Sequence, residues 1–470
     1  MTVQDFDIST HTYFLILRVQ AKDPVSDTTL DLGELTKKWT FRKIPQNQQP
    51  TNYTTMSSST PTNSNANIPL WSAAAVGFVS GMVYASYAMR LRDRERLRNA
   101  CSRIQKHLLP PQRMALGPVH LTARKEKETI LVVGAGAYGT AMAYTCAANG
   151  HKVVMHMRDP QQCEEINTNC RNPKYLSKYP LNPNDNAITG ICTRDELAKY
   201  LAIPGIIVIL ALPCQKTPLW IQQHADLIGE DVLLVSTAKG LYLPTQQLVG
   251  HAILDALNRA SQPLCFLSGP SFAEEIVQGY PTAVVIASDQ LYLANKLQRI
   301  MSNGKTFRVY TSQDPIGVQL GGALKNPLAV GAGMIAGLGY GTNTLSASVT
   351  RASRELCDLA IAMGGHPDTI DGLSGIGDLM LTCFSSQSRN QRCGTRLMKG
   401  HAVDDILKDY TVEGVPTADV AVAYADMCGL ECPIFRTVHA LIHKTISPEQ
   451  AVVSLMGRPL NQETTRANYM

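Results

Sequence analysis

The segment TILVVGAGAYGTAMAYTCAANGHKVVMHMRD, residues 129–159, restricts the fold of this chain more than any other. Its apolar run at 130–133 predicts a buried parallel strand, followed by a tight turn, a helix and a second strand. Gly134, Gly136 and Gly139 have the spacing at which glycines permit the turn, the close approach of a pyrophosphate and close helix packing. The segment therefore predicts a dinucleotide-binding βαβ unit rather than a plain loop.

The end of the second predicted strand bears on which dinucleotide is used. A site for NAD alone usually offers an acidic residue there, to the hydroxyls of the ribose. This chain has Arg158 first and Asp159 only after it. Arg158 can accept a 2′-phosphate, which favours NADP or the use of both coenzymes, whereas the alternative is an ordinary exposed arginine.

Further apolar runs follow at regular intervals and end in small or turn-forming residues. They occupy residues 203–213, 231–240, 263–275 and 281–288. This pattern predicts an α/β domain with a doubly wound, mainly parallel sheet. Ligands of such sheets bind beyond the carboxyl ends of the strands, where Lys239 and the stretch Ser268-Gly269-Pro270-Ser271 occur. Lys239 is thus a candidate site lysine, with a surface position as the alternative.

After Asp314 the apolar residues recur every three or four positions, which predicts a second, all-helical domain. Lys325 is the only charged residue between Asp314 and Arg351. Because a buried ammonium group is costly, such a lysine needs a partner, water or a catalytic role. The alternative is that its stem crosses apolar surface and its charge reaches solvent.

A glycine- and hydroxyl-rich segment at 372–394 holds the polar residues Asp378, Ser388, Arg389 and Asn390. A guanidinium group offers a paired fork to a phosphate, and neighbouring amides and hydroxyls can fill the remaining lone pairs. The segment therefore predicts a phosphate cradle, with a solvated loop as the alternative.

The first part of the chain has a different character. Residues 1–67 form a polar extension that we expect to be disordered, and residues 90–127 form a charged connector. Residues 68–89, between them, have the length of a transmembrane helix, with a targeting segment or a true start at Met56 as alternatives. The arginine-rich flank predicts a catalytic part in the cytosol, tethered to a membrane by residues 68–89; a plastid or other organelle is the alternative.

Composition excludes some classes of partner. A net charge of +5 over 470 residues is too small to favour nucleic acid. The twelve cysteines lack paired CxxC spacing, so reduced thiols are expected rather than a zinc site.

Seven motifs, in this order along the chain, resemble those of the NAD(P)-dependent glycerol-3-phosphate dehydrogenase family. They are GAGAYGTAMA, AKG, SGPSFAEE, FRVYTS, GGALKN, GLSGIGDLMLTCFSSQSRN and VEGVPTA. The resemblance implies a Rossmann-type domain at 128–314, a helical substrate domain at 315–463 and a tail at 464–470. It also implies a homodimer that uses NAD or NADP and no metal. The implied substrates are dihydroxyacetone phosphate and glycerol 3-phosphate, which serve glycerolipid synthesis and carbohydrate and redox metabolism.

The resemblance also implies a role for each candidate residue. Lys325 would be the catalytic acid and base, Lys239 would orient the carbonyl group, and Asp378 with Thr382 would hold the lysines. The implied substrate contacts are Lys239, Gly269, Ser271, Asn326, Ser388, Arg389 and Asn390. The implied cofactor contacts are Gly134, Gly136, Tyr138, Gly139, Arg158, Lys239, Ala273, Arg389 and Glu413.

Two departures from the family pattern and two alternative functions remain. Gln319 stands where the family usually has glutamate, which predicts one fewer anionic neighbour for Lys325. Arg158 follows the glycine turn in the manner of the bacterial and plastid branch. A dehydrogenase of the same architecture that acts on a 2-hydroxy or 3-hydroxy acid could use the same arginine. A nucleotide-binding sensor without turnover is the other alternative.

Overall fold

The computed structural model describes residues 127–460 and residue 463. The predictions for residues 1–67, 68–89, 90–126 and 464–470 lie outside this part of the chain. Among the helices of the described residues, none combines the length and the hydropathy that a crossing of a membrane needs.

One eight-stranded sheet forms the first half of the described chain. The described residues form ten strands in all: β1 (Thr129–Val133), β2 (Lys152–His156), β3 (Thr189–Ile191), β4 (Ile207–Leu210), β5 (Leu233–Ser236), β6 (Leu241–Tyr242), β7 (Gln247–Leu248), β8 (Leu264–Ser268), β9 (Thr282–Ala287) and β10 (Phe307–Ser312). The order in the sheet is β10-β9-β8-β5-β4-β1-β2-β3, and β6 pairs with β7 in a separate hairpin. This arrangement confirms the predicted doubly wound sheet.

The sheet departs from the parallel pattern at one place. All neighbouring strands are parallel except β8 and β9, which are antiparallel. The link between them contains only the short helix Ala273–Val277, and a parallel return usually needs a longer crossover. The apolar run at 281–288 predicts a strand but carries no information on its direction.

Sixteen α-helices surround the sheet and build the second half of the described chain. They are α1 (Ala137–Ala148), α2 (Pro160–Asn169), α3 (Arg194–Leu201), α4 (Thr217–Gln223), α5 (Val249–Leu257), α6 (Ala273–Val277), α7 (Leu291–Met301), α8 (Pro315–Gly337), α9 (Thr342–Ala362), α10 (Pro367–Ile370), α11 (Asp378–Phe384), α12 (Arg389–Met398), α13 (Val403–Asp409), α14 (Gly414–Cys428), α15 (Pro433–Ile442) and α16 (Pro448–Met456). A π-helical turn, Leu373–Gly377, leads directly into α11. The helical second half confirms the predicted fold class.

Both faces of the sheet are covered, which leaves its strand ends as the place for a ligand. Ile130, Leu131 and Val132 of the central strand β1 have no solvent exposure. Consecutive residues of a strand point to opposite faces, so burial of all three means that helices pack on both sides.

Helix α8 is the central element of the second half. Asp314 caps its first turn by accepting a hydrogen bond from the Gly317 backbone N–H at 2.8 Å. Helix α12 packs directly on it, because Cβ atoms placed at Gly333 and Gly394 would lie 1.9 Å from carbonyl oxygens of the opposite helix. This close approach, which only glycine permits, brings the beginning of α12 against the middle of α8.

Candidate active site

The candidate site lies where the carboxyl ends of β5 and β8 face helices α8 and α11. Lys239 follows β5, and Ser271 follows β8. Lys325 projects from the middle of α8, and Asp378 is the first residue of α11. The structure thus brings together residues from both halves of the chain.

A single buried carboxylate contacts both lysines. Nζ of Lys325 lies 3.0 Å from Oδ1 of Asp378, and Nζ of Lys239 lies 2.9 Å from Oδ2. The Asp378 side chain is 1% exposed, against 7% for Lys325 and 21% for Lys239. Lys325 also donates to Oγ1 of Thr382 at 2.6 Å, and that hydroxyl donates to the Asp378 carbonyl at 2.6 Å. The alternative for Lys325, in which its stem crosses apolar surface and its ammonium group reaches solvent, is therefore wrong.

Burial and the charges nearby give the two lysines different pKa values. Burial lowers the pKa of Lys325 to about 8, helped by the charge of Lys239 and only partly offset by Asp378. Burial also acts to lower the pKa of Lys239, but the charges of Asp378 and Tyr138 outweigh it and raise that pKa. Burial acts to raise the pKa of Asp378, but its two lysine neighbours bring it below its usual range. Lys325 is consequently the lysine that releases a proton more readily.

A chain of polar contacts joins this cluster to the glycine turn. Nζ of Lys239 donates to the Gly269 carbonyl at 2.8 Å, and the Ser271 hydroxyl donates to the same carbonyl at 3.0 Å. Gly269 has φ +123°, a conformation that turns this carbonyl at little cost only in glycine. The hydroxyls of Ser271 and Tyr138 are 3.2 Å apart, and Tyr138 is in the first turn of α1.

Two asparagines brace the elements around the lysines. The Asn326 amide donates to the Lys239 carbonyl at 2.8 Å and to the Gly322 carbonyl at 3.4 Å. Asn390 donates to the Asn326 side-chain oxygen at 2.9 Å and accepts from the Gly414 N–H at 3.0 Å. Both N–H groups of Asn326 are thus committed within the protein, while Asn390 keeps one. The substrate contacts of both residues stay predictions.

The beginning of α12 carries the remaining residues of the predicted phosphate cradle. The Ser388 side chain accepts from the Gln391 N–H at 3.2 Å and caps the helix, and Arg389 next to it is exposed. Glu413 precedes α14 and lies beside Gly240, where an added Cβ would come within 3.1 Å of its Oε2. Burial raises the pKa of Glu413, and the charge of Arg389 acts against that rise.

The glycine turn after β1 has the shape that a dinucleotide needs. Gly134 has φ +105°, and a Cβ at Gly139 would lie 2.0 Å from the Gly134 carbonyl oxygen. A Cβ at Gly136 would meet nothing within 4 Å, so open space adjoins the beginning of α1. Helix N-termini bind phosphate through their unpaired N–H groups, so the turn fits a pyrophosphate.

Two residues that hold this turn escaped the sequence analysis. Gln162 and the fully buried Asn172 each donate to the Ala135 carbonyl at 3.0 Å, and Asn172 also donates to the Thr140 hydroxyl at 2.8 Å. They fix the backbone between the glycines. A buried, fully bonded asparagine has no local sequence motif that would have identified it.

Two charged residues follow β2: Arg158 is exposed, and Asp159 already has partners within the protein. Asp159 caps α2 by accepting from the Gln161 N–H at 3.0 Å, and it forms an ion pair with Lys174. Its carboxylate is therefore engaged by the protein, while the guanidinium of Arg158 faces solvent near the strand end.

The expectation for Gln319 is corrected by the structure. Its side-chain oxygen accepts from the Gly250 N–H at 2.9 Å, and its amide donates to the Pro315 carbonyl at 2.9 Å. Six residues along a helix correspond to a rise of about 9 Å, so Gln319 lies nearly two turns before Lys325. Gln319 fastens α8 to α5 and is not a neighbour of the Lys325 ammonium group.

Comparisons with known proteins identify the family of the chain. Residues 129–294 match the family described as NAD-dependent glycerol-3-phosphate dehydrogenase N-terminus, and residues 314–453 match its C-terminus counterpart. A glycerol-3-phosphate dehydrogenase (NAD(P)+) of Lawsonia intracellularis is 38% identical over 340 residues, which cover 72% of this chain and 96% of that protein. An Arabidopsis thaliana protein named glycerol-3-phosphate dehydrogenase (NAD(+)) 2, chloroplastic, is 38% identical over 338 residues, covering 71% and 79% respectively.

A solved structure gives the same result in three dimensions. The crystal structure of glycerol-3-phosphate dehydrogenase from Coxiella burnetii is 31% identical and superimposes with a TM-score of 0.64. The match covers 71% of this chain and 99% of that one. This chain belongs to the family of NAD(P)-dependent glycerol-3-phosphate dehydrogenases.

Proposed function

We propose that this chain catalyses the reversible reduction of dihydroxyacetone phosphate to sn-glycerol 3-phosphate, with Lys325 as general acid and base. The observation that carries the proposal is the Asp378 carboxylate, held at 3.0 Å by Lys325 and at 2.9 Å by Lys239. Titratable groups whose surroundings push their pKa values apart are the usual basis of an acid and base assignment. Lys239 keeps its proton, and Lys325 exchanges one near neutral pH.

The proton step follows from the hydrogen bonds of Lys325. An ammonium group has three N–H bonds, and Asp378 and Thr382 accept two of them. The third N–H bond is left to donate its proton to the carbonyl oxygen of the substrate, which becomes the hydroxyl of the product. When bound, the reduced nicotinamide supplies the hydride for the carbonyl carbon. In the reverse direction neutral Lys325 takes the hydroxyl proton.

Lys239 supports the same step without transferring a proton. Two of its three N–H bonds go to Asp378 and to the Gly269 carbonyl, which leaves one for the substrate oxygen. Because its pKa is raised, Lys239 remains a cation and stabilises negative charge that develops on that oxygen. Asp378 holds the two ammonium groups at a fixed separation.

The phosphate of the substrate would lie at the beginning of α12. The first turn of a ten-residue helix begins there, with the Gln391 N–H bonded to Ser388. The exposed guanidinium of Arg389 and the spare N–H of Asn390 lie beside it. Ser388 already caps this turn, which keeps its hydroxyl close to the same position. A phosphate, with its several acceptor oxygens, matches these donors better than a carboxylate does.

The surroundings of the ribose support use of NADPH as well as NADH. Asp159 is committed to its helix cap and to Lys174, so Arg158 is the group that remains to meet a 2′-phosphate. We expect Arg158→Gln to raise KM for NADPH about 10- to 100-fold, the range of a lost hydrogen bond to a charged group. KM for NADH should change little.

Steady-state kinetics with both reduced coenzymes test this expectation. Arg171→Gln is the matched control, because Arg171 is another exposed arginine of the same domain and bonds to the Ser177 carbonyl. An equal rise of both KM values in Arg158→Gln would show that the residue does not distinguish the coenzymes.

A substrate comparison on the full chain tests the reaction itself. Oxidation of NADH or NADPH should proceed with dihydroxyacetone phosphate and not with ketopantoate or a 3-oxo acid. Activity on the carboxylate substrates alone would instead establish the alternative dehydrogenase. Coenzyme binding without turnover on any of them would establish the sensor.

The proposed function extends to the oligomeric state, the metabolic role and the location of the protein. We infer a homodimer that supplies glycerol 3-phosphate for glycerolipid synthesis and takes part in carbohydrate and redox metabolism. For location, the name of the Arabidopsis relative supports the plastid alternative to a tethered enzyme in the cytosol. Fractionation of cells that express the full chain distinguishes the two compartments.

A further inference from the structure

A second group of chemically active side chains lies on the surface of the helical half, outside the active site. Helices α14 and α15 are joined only by residues 429–432, so they run antiparallel side by side. Asp419, near the beginning of α14, therefore meets His439 and His443 at the end of α15. These three residues take no part in the proposed reaction or in the hydrogen bonds of Asn326 and Asn390.

The three side chains converge on one point. Oδ1 of Asp419 lies 2.7 Å from Nε2 of His443 and 3.2 Å from Nε2 of His439. The two imidazole rings have centroids 4.5 Å apart and are tilted by 52°. The ligand atoms of all three lie within 4.8 Å of one another. In a tetrahedral zinc site with bonds of about 2.0–2.2 Å, ligand atoms are roughly 3.3–3.5 Å apart. The separations of 2.7 and 3.2 Å are shorter than that, so an ion would replace the hydrogen bond between His443 and Asp419 and move the side chains slightly apart.

The chemistry and spacing of these donors suit a transition metal. Histidines four residues apart lie on one face of a helix, the spacing that helical zinc motifs use. Two imidazoles and one carboxylate form a donor set typical of zinc and related divalent ions. The side chains of His439, His443 and Asp419 are 33%, 47% and 52% exposed, so an ion from solution can reach them and water can complete its coordination.

The arginine one turn before His439 does not place its charge at the cluster. Arg436 precedes His439 by one turn, but its guanidinium lies 2.6 Å from Asp426 and bonds to the Leu430 and Glu431 carbonyls. These partners hold the guanidinium at the opposite end of the helix pair. We propose that Asp419, His439 and His443 form a binding site for Zn²⁺ or a similar divalent transition-metal ion, which clips α14 to α15.

The proposed metal ion would stabilise the packing of α14 against α15 and would take no part in catalysis. Helix α14 begins at Gly414, whose N–H bonds to Asn390, and Glu413 lies just before it. An ion at Asp419 would fix the same end of α14 against α15. Zinc should therefore raise the temperature of unfolding, since a ligand that binds only the folded state stabilises it.

Calorimetric titration of the full chain with zinc chloride, in a buffer that does not chelate zinc, tests the site. We expect saturable binding of one ion per chain, weakened at least about tenfold by Asp419→Asn and by His443→Gln. His251→Gln is the matched control, because His251 is exposed on α5, outside the cluster, and its loss should leave zinc binding unchanged. All three changes lie on the surface, and circular dichroism checks that each variant folds.

Cobalt(II) spectra separate this site from the thiols of the chain. A site of two imidazoles and a carboxylate lacks the strong charge-transfer band that a thiolate ligand gives, and that band should be absent. Its presence would place the ion on a cysteine such as the exposed Cys428 and overturn the proposal. Absence of saturable zinc binding, or equal affinity in Asp419→Asn and His443→Gln, would overturn it as well.

Discussion

Lys325→Met should lower kcat for the reduction of dihydroxyacetone phosphate by about 10³, the middle of the range for general acid and base catalysis. Methionine keeps the volume of the lysine stem and is a good helix former, so α8 should pack as before. Asp378 keeps Lys239 as its partner at 2.9 Å, which leaves no isolated buried carboxylate. Steady-state rates give kcat, and fluorescence titration with NADPH should show unchanged coenzyme binding.

Lys305→Met is the matched control for this change. Lys305 is exposed in the turn before β10, so its loss should leave kcat unaltered. If Lys325→Met retained about a tenth or more of the normal turnover, Lys325 would not be the group that transfers the proton.

Asp378→Asn should damage both stability and turnover. The amide has nearly the same shape, but it cannot balance two ammonium groups at 2.9 and 3.0 Å from its oxygens. Breaking a buried ion pair by removing one partner costs about 3–5 kcal/mol, and the free energy of unfolding should fall by about that amount. Loss of the carboxylate also moves the pKa of Lys325 further down, since Asp378 is the main group that raises it. We expect kcat/KM to fall at least about 100-fold.

Denaturant unfolding and kinetics on the same protein measure both effects. Asp255→Asn is the control, because Asp255 is exposed on α5 and should change neither quantity. A variant at position 378 that unfolds more easily but turns over normally while folded would show that Asp378 only braces the fold.

Much of the site could be predicted because parallel strands end at the same edge of a sheet. The apolar runs and the turn residues after them placed Lys239 and Ser271 at strand ends, and the glycine spacing marked the pyrophosphate turn. In the structure, Lys239, Ser271 and the glycine turn all lie at the same edge of the sheet. For Lys325 the absence of other charges along α8 indicated an unusual lysine, and its 7% exposure agrees with that interpretation.

Other features could not be predicted, because they depend on contacts between distant parts of the chain. Asn172 reaches the glycine turn only through the fold, and the direction of β9 is not encoded in its apolar residues. Gln319 was placed near Lys325 on family resemblance, whereas its hydrogen bonds go to α5. His439 and His443 are four residues apart, but no metal site was predicted from them, and Asp419 joins them only after α14 and α15 have packed.

The pH dependence of kcat/KM, measured in both directions on the full chain, tests the role of Lys325 most directly. Reduction needs the protonated amine and oxidation needs the neutral one, while burial places the pKa of Lys325 at about 8. We therefore expect kcat/KM for dihydroxyacetone phosphate to fall as the pH rises through about 8, and kcat/KM for glycerol 3-phosphate to rise over the same interval. The residual activity of Lys325→Met should lack both inflections. Profiles that stay flat across this interval in both directions, or inflections that persist in Lys325→Met, would contradict the assignment of Lys325 as the acid and base.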